Sequence, residues 1–142
     1  MRYHKISADG ARLPIEATEF VAIEDTQTGL MWSLTLAREQ TQAKAAKVAK
    51  ACKVAGHADW SLPSIQQLET LRDLSRHGPA TPEIFAADTR NDWYWSSSAY
   101  AGNPDVYAWI VYFYYGGVYW YDRHLHACVR AVRSVASPVA GQ

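Results

Sequence analysis

Cysteine is nearly absent from this chain of 142 residues: Cys52 and Cys128 are too few for a disulfide scaffold and lack the CxxC spacing of a zinc or thioredoxin-like site. We read them as two unpaired thiols. Net charge is absent as well. Fourteen basic side chains balance fourteen acidic ones, so no broad field draws nucleic acid or an anionic membrane. No apolar run approaches the roughly 20 residues of a membrane-spanning helix, which argues against membrane insertion. The opening stretch, MRYHKISADGARLPIEATEF, lacks the apolar centre of a secretory signal. The expectation is a single domain, residues 1–142, that is cytoplasmic or leaves the cell by a route needing no such signal. Catalytic signatures are missing too: there is no GxSxG elbow, no phosphate loop ending in GK[ST], and no HExxH.

What the chain does hold is tyrosine, in one place. Residues 94–133 carry eight of the nine tyrosines, with Trp95, Trp109 and Trp120, and neither lysine nor glutamate. Aromatic residues alternating with small or polar ones predict strands with one face packed and one offered outward. Tyrosine supplies a large, stiff contact area with a hydrogen-bonding tip, which suits a binding surface. The competing reading is that half of these rings fill a core, and Trp95, Trp109, Val111 and Phe113 are assigned there.

The pattern before that window sets the fold class. Residues 1–19 read as an irregular lead-in with at most one short strand. FVAIEDTQTGLMWS reads as two strands around a turn. From Thr41 to Ala55, Ala45, Val48, Ala49, Cys52 and Ala55 form a small-residue helical stripe, and Gly56 ends it. Lys44, Lys47, Lys50 and Lys53 should face water, an anion-binding patch being the alternative. Ser64 and Gln67 fit a capping box opening a second helix, whose stripe Ile65, Leu68, Leu71, Leu74 runs to His77-Gly78-Pro79. Residues 79–92 read as a long surface loop, and strands follow near 93–97, 107–113, 117–121 and 127–133. The tail from Ser134 reads as frayed. Strands, two helices, then strands make an α+β domain.

Three polar groupings are candidates for chemistry. Asp122, His124 and His126, two apart, would share one face of a strand, but three ligands on one straight strand seldom close around an ion. His57 and Asp59 beside Trp60 read as a structural loop, a catalytic pair being the alternative. Asp88, Arg90 and Asp92 read as ordinary solvated charge, or at most a weak cation site. No metal and no cofactor is expected.

VAIEDTQTGLMW (21–32), AGHADWSLPSIQQLETL (55–71), YWSSSAYAG (94–102), YAWIVYF (107–113) and VRAVR (129–133) occur in order, and together they resemble a known family. Over about residues 20–133 the chain is similar to the C-terminal domain of collagen-like bacterial adhesins, which also occurs alone in bacterial and phage proteins. The resemblance implies a C-type-lectin-like fold, two helices with a twisted antiparallel sheet, and ligand binding without catalysis, in some members to glycans. It also adds a phage particle as a possible setting.

Residues 96–133 further resemble the variable region of proteins diversified by retroelements, in which adenines of a template copy are mutated. That resemblance implies a fixed framework of Ser96, Ser97, Trp109, Val111, Phe113, Gly116, Val118, Arg123, Val129, Arg130 and Arg133. The implied ligand-binding positions are Asp105, Val106, Tyr107, Ile110, Tyr112, Tyr114, Tyr115, Gly117, Tyr119, Tyr121, Asp122, His124, Leu125, His126, Ala127 and Cys128. Among these, Tyr112, Tyr114, Tyr119, Tyr121, His124 and His126 would be the main contacts to a protein or glycan. An asparagine codon altered at adenines alone cannot become tryptophan, so Trp120 stands apart. The calcium-dependent sugar tripeptides EPN and QPD do not occur, and Asn91 to Trp93 recovers little of the WND element. Cys52, placed on the first helix, and Cys128 do not supply the paired cysteines of formylglycine-generating enzymes. A non-diversified glycan-binding module is the alternative function.

Overall fold

A computed structural model describes residues 1–90 and 92–135. In chain order the strands are β1 (Tyr3–Ile6), β2 (Arg12–Leu13), β3 (Ala22–Asp25), β4 (Leu30–Gln40), β5 (Trp93–Ala99), β6 (Tyr107–Tyr112), β7 (Gly117–Asp122) and β8 (Ala127–Ser134). Helices α1 (Gln42–Lys50) and α2 (Ile65–Glu69) follow β4, and a short α3 (Glu83–Ala86) precedes β5. The strands form one sheet in the order β2-β1-β3-β4-β8-β5-β6-β7, antiparallel except where β5 runs parallel to β8 at Tyr94 and Cys128. The fold is α+β.

β8 is central and covered on both sides. Ala127, Val129 and Ala131 belong to a core shared with Ala45 and Ala49 of α1. Cys128 and Val132 belong to a second core shared with Ile65, Leu68 and Phe85 from the α2 and α3 side. Consecutive side chains of a strand point to opposite faces, so a strand between two helical layers reads as a nearly unbroken apolar run.

The helices form where their caps and spacings place them. The Thr41 side chain accepts the Lys44 amide at the start of α1, whose alanines let it lie close to the sheet. The lysines at 44, 47, 50 and 53 are exposed. Cys52 lies just beyond α1, in the turn that follows, and not on the helix. Ser64 and Gln67 form the full capping box of α2. That helix is shorter than its apolar stripe suggested, and Leu74 is exposed. The chain leaves it because residues 78–80 dock on the β6–β7 turn, the Gly78 and Ala80 amides donating to the Tyr114 and Phe113 carbonyls at 2.7 Å each, and Asp73 N donates to Ala80 O at 2.8 Å.

Three further expectations are corrected. Residues 1–19 supply two strands, β1 pairing with β3 from Tyr3 opposite Asp25 to Ile6 opposite Ala22. Residues 79–92 are not a surface loop: Ala80, Thr81 and Phe85 are buried there, and α3 fills the second core. Ser134 ends β8 and the Val135 amide donates to Gly29 O at 2.8 Å, so the tail is anchored that far. The rest of the expected frayed tail, residues 136–142, lies outside the described residues, as does Asn91.

Candidate functional site

The helices stop short of β7, the edge strand of the sheet. α1 packs on β4, β5 and β8, and α2 on β5 and β6. At the β7 edge the aromatic residues of the β6–β7 hairpin cover one another. Register sorts them by face, because directly opposed residues point the same way. Tyr112 opposes Trp93 and Gly117, Ile110 opposes Trp95 and Tyr119, and Ala108 opposes Tyr121. Trp109 opposes Trp120, and Tyr107 opposes Asp122, on the other face.

On the first face Trp93 is the common partner. Its ring stacks on Tyr112 at 4.6 Å and 13°, and on Tyr121 at 5.2 Å and 7°, with Tyr119 tilted at 5.7 Å. Tyr114 and Tyr115, in the turn, meet Tyr112 edge-on at 6.2 and 5.1 Å. The hydroxyls of Tyr115 and Tyr119 share a 2.7 Å hydrogen bond, which raises the Tyr115 phenol above its ordinary range. Gly117 lies beneath that pair: a Cβ there would stand 2.5 Å from a Tyr119 ring carbon. Tyr114, Tyr115 and Tyr119 are exposed, while Tyr112 and Tyr121 are half-buried.

On the opposite face Trp120 stacks on Tyr100 at 4.5 Å and 8°, and Trp109 stands edge-on to both. Tyr107 meets Tyr100 edge-on at 6.3 Å. The sixteen sequence candidates therefore do not make one patch. Tyr112, Tyr114, Tyr115, Tyr119 and Tyr121 share the first face with Gly117, whereas Tyr107 and Asp122 share the second. Asp105 is exposed and Val106 half-buried in the loop before β6, and His124, Leu125 and His126 are exposed between β7 and β8.

Ile110, Ala127 and Cys128 are corrections. All three are buried, Ile110 and Ala127 in the α1 core and Cys128 in the other, so none can touch a ligand. Residue type alone does not reveal that β6 and β8 are covered on both faces. Burial also pushes the Cys128 thiol up to about 11, and raises that of Cys52. Both thiols are free.

Asp122, His124 and His126 do not line up either, because β7 ends at Asp122. The Asp122 carboxylate instead caps the turn, accepting the His124 amide at 2.9 Å with the imidazole Nδ1 at 3.3 Å. Among the described residues no three His, Cys, Asp or Glu side chains gather around a possible metal position.

The scaffold beneath is held by polar ties at framework positions. Arg123 donates to Gln42 Oε1 at 2.9 Å and to the Pro104 carbonyl at 2.7 Å, joining the 101–106 loop to α1. Ser96 Oγ donates to Trp109 O at 2.7 Å, and Ser98 Oγ accepts the Ile65 amide at 2.9 Å. Arg133 pairs with Asp59 at 2.7 Å, tying the loop after α1 to β8. Trp93 precedes the 96–133 segment and Tyr100 lies in the YWSSSAYAG block, so neither is among the candidates, although ring contacts, which depend on register, make both central to the two aromatic clusters.

Residues 21–133 match the family described as Lcl C-terminal domain. The chain belongs to that family. The Lcl C-terminal domain match begins just before β3 and closes within β8, so both aromatic clusters lie inside it while β1 and β2 extend the sheet outside it. Among curated proteins none matches the chain. Among the described residues of this Lcl C-terminal domain, no helix is long and apolar enough to cross a membrane.

Proposed function

We propose that this chain is a ligand-display protein, a C-type-lectin-like scaffold whose tyrosine face binds a protein or glycan partner without catalysis or cofactor. In this reading the face is of the kind diversified by retroelements. The observation that carries it is the separation of display from packing. Tyr114, Tyr115 and Tyr119 project from the hairpin, while Trp95, Val111, Phe113 and Arg130 hold the fold from within. Rings that pack mainly on each other can be exchanged with little disturbance to a core that does not contain them. Tyrosines ordered by Trp93 and by the Tyr115–Tyr119 hydrogen bond also lose less freedom on binding.

The test is the DNA beside the coding region. A near-copy of the segment encoding residues 96–133, differing at adenines and lying near a reverse transcriptase gene, is the expected result. Its absence would replace diversification with a fixed binding module. Ile110, Ala127 and Cys128 should then be invariant or vary among small apolar residues, because their positions are core.

A further inference from the structure

Toward the end of the sheet opposite β7, a cleft of about 630 Å³ opens between β1, the segment leading into β3, and α3. Small-molecule sites span about 300–1,000 Å³ and join apolar walls to a few polar groups. Ile15, Phe20, Ile84 and Ala87 supply the apolar walls. Phe20 and Ile84 rest on the second core, which fixes their inner sides. Ile15 is 42% exposed although it is a large aliphatic side chain. Apart from Glu83, Ile84 and Ala87, every lining residue precedes the family match, which starts at residue 21.

Charged groups also line it. Lys5 is committed: its ammonium donates to Ala17 O at 2.7 Å and lies 4.8 Å over the Phe20 ring. That tie holds the turn at 14–17 against β1 and takes up one face of the ring. Glu16 and Glu83 are both exposed, and neither carboxylate has a hydrogen-bond or ion-pair partner among the described residues. Two free carboxylates against one engaged ammonium leave an excess of negative charge beside an apolar surface.

We propose that this cleft binds a small primary organic amine, its alkyl or arylalkyl body against Phe20 and Ile84 and its ammonium facing Glu16 and Glu83. Charge and donor count select this ligand class. A primary ammonium offers three N–H donors, which carboxylates accept in short, charge-assisted bonds. An amphiphile headed by a carboxylate would have to draw Lys5 away from Ala17 and would meet two like charges. A quaternary ammonium favours a cage of aromatic walls, whereas Phe20 is the aromatic residue of this lining and Lys5 already lies over it. A bare metal ion is poorly served, since no third His, Cys, Asp or Glu joins the two glutamates among the described residues. The cleft lies well away from the tyrosine face and does not depend on it.

Hexylammonium, hexan-1-ol and heptanoate carry the same hexyl chain under three head groups, so together they separate charge from apolar fit. Isoleucine methyl NMR of the full chain reads their binding. Ile15 and Ile84 line the cleft, while Ile65 and Ile110 are buried elsewhere and serve as controls. Ile15→Val and Ile84→Val assign the two signals. Hexylammonium should shift both at millimolar concentration, bind roughly tenfold or more tightly than hexan-1-ol, and weaken with added salt. Glu16→Gln combined with Glu83→Gln should lower that affinity by about tenfold and leave hexan-1-ol binding as it was. Tyr119→Ala, on the distant edge strand, should change neither. Thermal unfolding checks that the variants are folded, and the comparison of head groups needs no variant at all. The proposal is overturned if hexylammonium shifts neither methyl, if hexan-1-ol or heptanoate binds as tightly, or if the double glutamine variant binds hexylammonium like the parent. None of these outcomes bears on the template copy that tests the display reading.

Discussion

Asp88 lies 2.9 Å from the guanidinium of Arg130, whose side chain is only 1% exposed in the middle of the central strand. The pair joins α3 to the sheet. Arg130 also donates to the Ser33 carbonyl at 2.8 Å and to Thr89 Oγ1 at 3.0 Å, and lies over the rings of Phe85 and Tyr94. Asp88 in turn accepts the Thr35 amide at 2.7 Å. The charges read as solvated on a loop are thus, for Asp88, part of a buried network.

Removing one member should therefore cost more than removing both. Asp88→Ala leaves a buried guanidinium without its counter-ion and should destabilise by about 3–5 kcal/mol. Combining it with Arg130→Met should cost less than the sum of the two single changes. Urea unfolding of the four proteins in a double-mutant cycle measures this coupling. Equal and additive losses would show that the two charges act separately.

Acid should act in part through Asp25. Its burial works to raise the carboxyl, but two 2.9 Å bonds from Arg2, with Thr28 and the Gln27 amide, outweigh burial and hold it below its ordinary value. The unfolded chain then binds a proton more readily than the folded one. Stability from this group is present above about pH 4 and is lost as pH falls through the folded value. Thermal unfolding across that range should show Asp25→Asn less stable than the parent at neutral pH, with a shallower loss toward acid. Parallel curves would remove Asp25 from the acid response.

Alkali has the opposite sign at Cys128. Burial holds the thiol at about 11, whereas an unfolded cysteine ionises near 8.5. Between those values the folded state keeps a proton that the unfolded state has lost, so stability declines as pH rises through the window. The same protonated, buried sulfur should resist Ellman's reagent at pH ~8, where thiolate is the reactive form. Both cysteines should react after denaturation in urea. Rapid labelling of Cys128 in the native protein would contradict its place in the core.

These residues also show what could be read without coordinates. Local chemistry was legible: the Ser64–Gln67 capping box, the hairpin around Asp25 to Gly29, and the strands carrying the tyrosines all rest on neighbours within a few positions. What depended on distant packing was not. Asp88 and Arg130 are 42 positions apart, and nothing near either marks the pairing. Ala127 and Cys128 carry residue types that the retroelement resemblance places at variable positions, and residue type does not show that β8 is covered on both faces. β1 and β2 have too few residues for a period to show, and their pairing is supplied by β3. The site was legible as a density of tyrosine, but its division into two faces required the register that opposes Tyr112 to Gly117 and Trp109 to Trp120.

The separation of display from packing makes a quantitative forecast. Tyr114, Tyr115 and Tyr119 are exposed by 46%, 52% and 39%, so alanine there removes little buried surface. Each substitution should change stability by no more than about 1 kcal/mol, the range of surface changes that lose at most an aromatic contact. Phe113, between them and the core, is 1% exposed and packs edge-on to Tyr94 at 5.3 Å. Phe113→Ala should cost about 3–5 kcal/mol, because it leaves a cavity where relaxation is limited. A triple alanine variant at 114, 115 and 119 should keep the near-native far-ultraviolet circular dichroism and unfold cooperatively in urea. Should it instead unfold at once, those tyrosines would be structural, and a surface free to change its residues could not be built on this hairpin.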